Sequence, residues 1–289
     1  MSSNDIIPGE ATATSFRPAL IVVDMQEDFC PPNGSLAIQG ARALAPIINS
    51  LLYLPGFVLK ISTQDFHPTN HISFAVNHPA PNNIPFQSII AVHNPVRPAT
   101  INHTTTSYKD KDKHTTTETE TRLQRLWPVH CVANTPGACI IPEIQTDKIS
   151  VNIRKGMDAR ADMKSAFVDT FGNNCVESGG VNLDLDAVLK EHRVSDLYVV
   201  GVAGDYCVKS TSIDAEARGF RTMVVEEGTK CVDPGDGWEE AKREMLAHGV
   251  RIVSIDGPEV RRVRDLGNGD AICEYLGGEE GGGGREDWS

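Results

Sequence analysis

Positive charge is scarce in this chain. Its 289 residues carry 27 Lys and Arg against 39 Asp and Glu, a net charge of −12. Such a balance leaves no basic footprint for nucleic acid and favours neutral or cationic small molecules as ligands. Long apolar runs are missing too: none approaches the roughly 18 residues of a membrane span, so no membrane partner is expected. The opening MSSNDIIPGEATATSF lacks a basic region followed by an apolar stretch, the pattern of a secretory signal, and the cytoplasm is the expected compartment. The seven cysteines form neither paired C-x-x-C zinc motifs nor an even-numbered disulfide framework, which suits free thiols in a reducing environment. What is present, 40% hydrophobic residues, suffices for the core of one large α/β domain or two smaller ones.

The best-organised stretch is DLYVVGVAGDYCVKSTSIDAEARG at 196–219. A short continuous apolar run, 197–202, reads as a strand buried on both faces; Gly201, Ala203 and Gly204 supply a tight turn, and a helix opens at Cys207 and ends near Gly219. A thiol at a helix N-terminus meets unpaired N–H groups and the positive end of the dipole, which would lower its pKa. A cysteine there can equally be a small buried hydrophobe.

Taken in order, residues 1–17 read as a mobile head, and ALIVVD at 19–24 as a strand ending in Asp24. The stretch 26–36 is a turn-rich loop, 40–54 has helical spacing, and GFVLKIST is a second strand followed by QDFHPTNHISF. Residues 75–125 change texture and include a polar Thr, Lys and Glu insertion at about 99–124 that reads as solvated. KISVNI is a third strand running into Arg154 and Lys155, and a helix at about 183–192 leads to the strand of 196–202. RTMVVEE, a helix over 238–248 and VRIVSI complete the pattern, and 274–289 is a Gly/Glu-rich tail. Six strands alternating with helices predict one domain over 18–256, a three-layer α/β/α sandwich on a mostly parallel sheet.

In such sheets functional groups gather at the carboxyl ends of the strands, beside the point where strand order reverses. Here those ends carry Asp24, then Asp65 with His67, then Lys155, then Cys207. With the order 3-2-1-4-5-6, Asp24 and Cys207 would face each other: an acid able to take a thiol proton, with a lysine to balance the charge. Each alone has a plainer reading, as a turn cap, a surface charge or a buried thiol. Asp65, His67 and His71 in one loop, joined by a distant His130, form a donor set suited to zinc, iron or manganese rather than calcium or magnesium. His78, His93, His103 and His114 match no ligand spacing. Phe29 and Trp127 could stack on a flat ring or simply pack in the core.

IVVDMQEDFCPPNGSL, TQDFHPTNHISF, LWPVHCV, the RKG around Lys155, SAF at 165–167 and GVAGDYCVKST occur together in this order. Through them, over about residues 18–255, the chain resembles the nicotinamidase branch of the isochorismatase-like cysteine hydrolases. The resemblance implies the sheet order 3-2-1-4-5-6 and a catalytic set of Asp24, Lys155 and Cys207. It also implies an oxyanion hole from the amides of Ala203 and Cys207 with a cis peptide between Val202 and Ala203. One divalent ion, zinc first with iron or manganese as alternatives, would be held by Asp65, His67, His71 and His130, and Phe29 and Trp127 would flank the ring. The activity implied is metal-dependent hydrolysis of nicotinamide to nicotinate and ammonia through a Cys207 thioester, in NAD salvage, with a homo-oligomer compatible with the family. Where that family usually carries an aromatic before SAF, this chain has Lys164. A hydrolase of another small carboxamide, or an inactive metal-binding module on the same fold, are the alternatives left open.

Overall fold

β1 (Pro18–Val23) and β6 (Asp196–Val202) lie at the centre of the molecule, and every residue of both is buried. Their apolar runs do not alternate because both faces of the sheet are covered. The computed structural model describes residues 16–96 and 120–266. The other described elements, in chain order, are α1 (Ala45–Leu52), β2 (Leu59–Asp65), β3 (Ile89–His93), β4 (Thr121–Arg125), β5 (Val151–Lys155) and α2 (Leu185–Glu191). After β6 come α3 (Lys209–Ala217), β7 (Arg221–Lys230), α4 (Asp236–Ala247) and β8 (Arg251–Val253), then α5 over 258–266.

The main sheet runs β5-β2-β1-β6-β7-β8 with every pairing parallel, which is the expected 3-2-1-4-5-6 order. On one face Leu20, Val22, Tyr198 and Val200 pack against Ile48 and Leu51 of α1 and Val260 and Val263 of α5. On the other, Ile21, Val23 and Val199 meet Leu189 of α2, Ala215 of α3 and Met245 of α4. Strand order reverses between β1 and β6, which brings the ends of these strands into one crevice. At that point Gly201 has φ +114°, and a Cβ there would lie 2.1 Å from the Val23 carbonyl oxygen, so only glycine lets the two strands approach.

The structure departs from the sequence reading in three places. The polar insertion is not structureless at its edges: Thr121–Arg125 forms an antiparallel ribbon with Ile89–His93. Each of these strands buries one side chain, Val92 and Gln124, so neither shows the apolar alternation that announces a strand. The packed chain also continues past residue 256, because α5 contributes two fully buried valines and Tyr198 donates a 2.8 Å hydrogen bond to the Glu259 carbonyl. The third departure concerns the helix start at Cys207 and is described with the site. Residues 1–15 of the expected head, most of the expected insertion at 99–124 and the whole of the expected tail at 274–289 lie outside the described residues. Among the described residues no helix is long and apolar enough to cross a membrane.

Candidate active site

Four strand ends build the site, and backbone register sets their spacing. Asp65 and Lys155 are paired across β2 and β5, and Val23 and Gly201 across β1 and β6. Asp24 follows β1 with φ +49°, which turns the chain off the strand; its N–H reaches the Thr63 carbonyl at 3.2 Å and its Oδ1 accepts the Thr63 hydroxyl at 2.6 Å. After β6 the Val202–Ala203 peptide is cis, and Gly204–Val208 forms one π-helical turn ahead of α3. Cys207 therefore sits inside that turn and not at the opening of the α-helix. The Asp205 carboxylate anchors the turn by accepting the N–H groups of Val232 and Asp233 at 3.0 and 2.9 Å.

Lys155 is the hub. Its side chain is fully buried, and Nζ lies 3.0 Å from Asp24 Oδ2, 3.6 Å from Cys207 Sγ and 3.2 Å from the Met163 carbonyl, while also donating to Asp65 Oδ1. The Asp24 and Asp65 carboxylates and the Cys207 thiol all lie within 4.8 Å of one another. Burial alone would push the Lys155 ammonium towards its neutral form, but the Asp24 and Asp65 charges outweigh it and hold its pKa well above the ordinary lysine value. Asp24 is shifted up by burial, with Asp65 adding and Lys155 opposing. Burial also drives the Cys207 thiol well above its ordinary value, Lys155 opposing and Asp24 adding. This corrects the expected lowering: desolvation of the thiolate and a neighbouring carboxylate outweigh the one cation, and the π-turn displaces the residue from the helix end.

The second oxygen of Asp65 faces the histidines. Oδ2 lies 3.5 Å from His67 Nε2 and 3.9 Å from His130 Nε2, and the two rings meet at 83°. His67 donates from Nδ1 to the Gly156 carbonyl at 2.7 Å and His130 from Nδ1 to the Pro128 carbonyl at 2.8 Å, so each turns Nε2 to the interior. His67 Nε2 is buried without a hydrogen-bond partner. Gly156 permits this arrangement: it has φ +65°, and a Cβ would fall 2.4 Å from the His67 ring. Donors around a tetrahedral zinc, with bonds of about 2.1 Å, stand about 3.4 Å apart, so Asp65, His67 and His130 fit a divalent ion. Burial, then Lys155 and His67, set the Asp65 carboxyl, with the charges winning and holding it well below the usual carboxylate range.

His71 belongs to the same cluster but is wired differently. It stacks on His67 with centroids 4.1 Å apart, and its Nδ1 meets the Ser73 hydroxyl at 2.7 Å and accepts the Ser73 N–H at 3.4 Å. Its Nε2, like that of His67, is buried without a hydrogen-bond partner. Burial, with His67 adding, drops its pKa to about 3. The third member of this side of the cluster is Asp162, which the sequence reading passed over. It is buried between the N–H of Met163 and the Gln124 side-chain amide of β4, each a donor at 3.0 Å. His78, by contrast, bonds the Ile72 carbonyl, and His93 lies exposed on the ribbon, both away from the site; His103 and His114 lie outside the described residues.

A pocket opens over these groups. Phe29 and Trp127 line it, together with Ala203, Cys207, His130 and Asp65. Tyr206, not foreseen as a wall, meets Trp127 edge-on at 5.3 Å, and Lys164 and Val232 complete the rim. A flat ring, a neighbouring thiol and an acid–lysine pair are what acyl transfer on a small aromatic acid derivative requires.

The isochorismatase domain model matches residues 91–257. The chain belongs to the isochorismatase family. Among relatives of this hydrolase, the nicotinamidase of Acinetobacter baylyi is 34% identical over 236 residues, covering 82% of this chain and 92% of that protein. The structure of the yeast nicotinamidase bound to the inhibitor nicotinaldehyde superposes with a TM-score of 0.68 at 31% identity, over 82% of this chain and 99% of the other. The Pyrococcus horikoshii pyrazinamidase in complex with zinc superposes with a TM-score of 0.56 at 28% identity, over 82% and 99%. In this isochorismatase-family chain, sequence motifs pointed to the residues at the strand ends. Asp162, Gln124 and Tyr206 carried no such signal, the first two because the contact between them joins segments that are far apart in the chain.

Proposed function

We propose that this enzyme hydrolyses nicotinamide to nicotinate and ammonia through a thioester on Cys207, as a step in salvage of NAD. One observation carries the reading: a single buried ammonium, Lys155 Nζ, touches Asp24 and Asp65 and stands 3.6 Å from the Cys207 sulfur at the floor of an aromatic-walled pocket. Nicotinamidases among its relatives and a pyrazinamidase holding zinc support the choice of ring amide and metal.

Asp24 Oδ2, 3.0 Å from the Lys155 ammonium, lies within reach of the thiol and takes the Cys207 proton. The sulfur then attacks the carboxamide carbon, and the N–H groups of Ala203 and Cys207 hold the oxyanion, a contribution of about 3 kcal/mol per donor. Lys155 keeps its charge throughout and stabilises the thiolate next to a carboxylate. Asp24 passes its proton to the departing nitrogen, which leaves as ammonia. A water deprotonated by the same carboxylate attacks the thioester, releasing nicotinate and restoring the thiol. Asp65, His67 and His130, with His71 alongside, would hold a divalent ion, zinc in the first instance, which supplies a Lewis acid for the pyridine nitrogen when bound. Phe29 and Trp127 orient the ring plane, so binding places the carboxamide over the sulfur.

Ammonia release from nicotinamide, pyrazinamide and aliphatic amides tests this. Nicotinamide and pyrazinamide should be hydrolysed with aliphatic amides far behind, and Cys207→Ala should remain folded and inactive. Equal rates on aliphatic amides would point instead to a general small-carboxamide hydrolase, the reading that the charged Lys164 at the rim favours.

A further inference from the structure

We propose that Lys164 shifts the selectivity of this pocket towards a ring acid relative to the matching ring amide, so that the product of hydrolysis gains affinity from this side chain that the substrate does not. This rests on the ring-amide hydrolysis set out above. Hydrolysis breaks the C–N bond, adds water and releases ammonia, turning a neutral carboxamide into a carboxylate of charge −1. The ring and its stacking contacts are the same before and after. Charge is the main feature that distinguishes the two ligands, so a charged wall is what can discriminate between them.

Among the described residues Lys164 is the only Lys or Arg that lines the pocket. The neighbouring cation, Lys155, is already matched by Asp24 and Asp65. Lys164 stands in no direct ion pair among the described residues: its ammonium lies 5.9 Å from the centre of the Tyr206 ring, next in sequence to Cys207, and its charge reaches Asp162 without contacting it. The two carboxylates that line the same pocket have other partners. Asp65 is engaged by Lys155, and Asp162 by Gln124 and the Met163 N–H. An anion entering the pocket therefore meets one cation that no carboxylate among the described residues contacts directly. Partly exposed, such a contact is worth about a two- to fivefold change in affinity and is screened by salt.

The test uses metal-loaded Cys207→Ala protein, which cannot turn over, and measures dissociation constants of nicotinate and nicotinamide by calorimetry. Adding Lys164→Met should lower the preference for nicotinate over nicotinamide by about two- to fivefold, Lys164→Arg should keep it, and added salt should erode it only where the charge is present. Because the readout is a ratio, a smaller folded fraction cancels. An unchanged ratio in Lys164→Met, or equal weakening of both ligands, would overturn the role of the charge while leaving nicotinamide hydrolysis standing. Wild-type protein that releases no ammonia from nicotinamide would overturn the functional reading, and this inference with it.

Discussion

Asp24 and Lys155 show how a buried charge pair can serve chemistry at the expense of stability. Asp24 titrates above an ordinary aspartate in the folded protein because burial and Asp65 outweigh Lys155. A carboxyl raised in this way contributes stability that is fully present below its unfolded pKa of about 3.9 and is lost as pH rises through the folded value. Asp24→Asn should therefore have a Tm at pH 7 no lower than wild type, with any advantage shrinking as pH falls towards 4, while its turnover drops by about two to four orders of magnitude. Thermal melts across pH, paired with ammonia assays, check both; a variant clearly less stable at pH 7 would contradict the account. Lys155→Met should behave oppositely, because it strands two carboxylates in the interior and costs about 3–5 kcal/mol. At the other end of Asp65, His130→Ala removes one of the two ring nitrogens that face its carboxylate. Metal bound per chain, measured by mass spectrometry, should fall well below one equivalent, and KM for nicotinamide should rise more than kcat falls. Full metal content in that variant would rule out the ligand set.

At the level of elements, the site depends on how closely β1 and β6 approach and on how the chain leaves β6. Gly201→Ala puts a Cβ against the Val23 carbonyl at a φ of +114°, and it should cost more than about 1 kcal/mol while spreading Asp24 from Cys207. Urea melts would show the destabilisation, and the rate per folded molecule should fall as well; normal activity in the folded fraction would mean that the strand spacing does not control the pair. The apolar runs of β1 and β6, the helical spacing of α1 and α4 and the acid that closes β1 were all legible from sequence, because a doubly covered parallel strand and an amphipathic helix each impose a local pattern. The β3–β4 ribbon was not legible, since a ribbon burying one residue per strand imposes none. Nor was the π-turn: it follows from the Asp205 anchor to the loop after β7, a contact 27 residues away in the chain.

Across the whole molecule, α5 closes the face of the sheet opposite α2, α3 and α4. Val260→Ala and Val263→Ala should each destabilise by about 1.5–3 kcal/mol, with the rate per folded molecule retained because both side chains lie away from the pocket. Chemical denaturation measures the first and an active-site-normalised assay the second; a change of less than about 0.5 kcal/mol would mean that α5 is not part of the core. The sequence by itself determined the α/β class, the six strands and the acid, lysine, thiol and histidines at their ends, because strand runs, turn residues and reactive side chains are local properties. Only the tertiary structure decided what these groups do to one another. It put one ammonium between two carboxylates and a thiol, stacked His71 on His67, brought Asp162 beside them, and left Lys164 on the pocket wall without a direct ion pair among the described residues. Each of those outcomes depends on burial and on distances between residues far apart in the chain, which no spacing along it encodes.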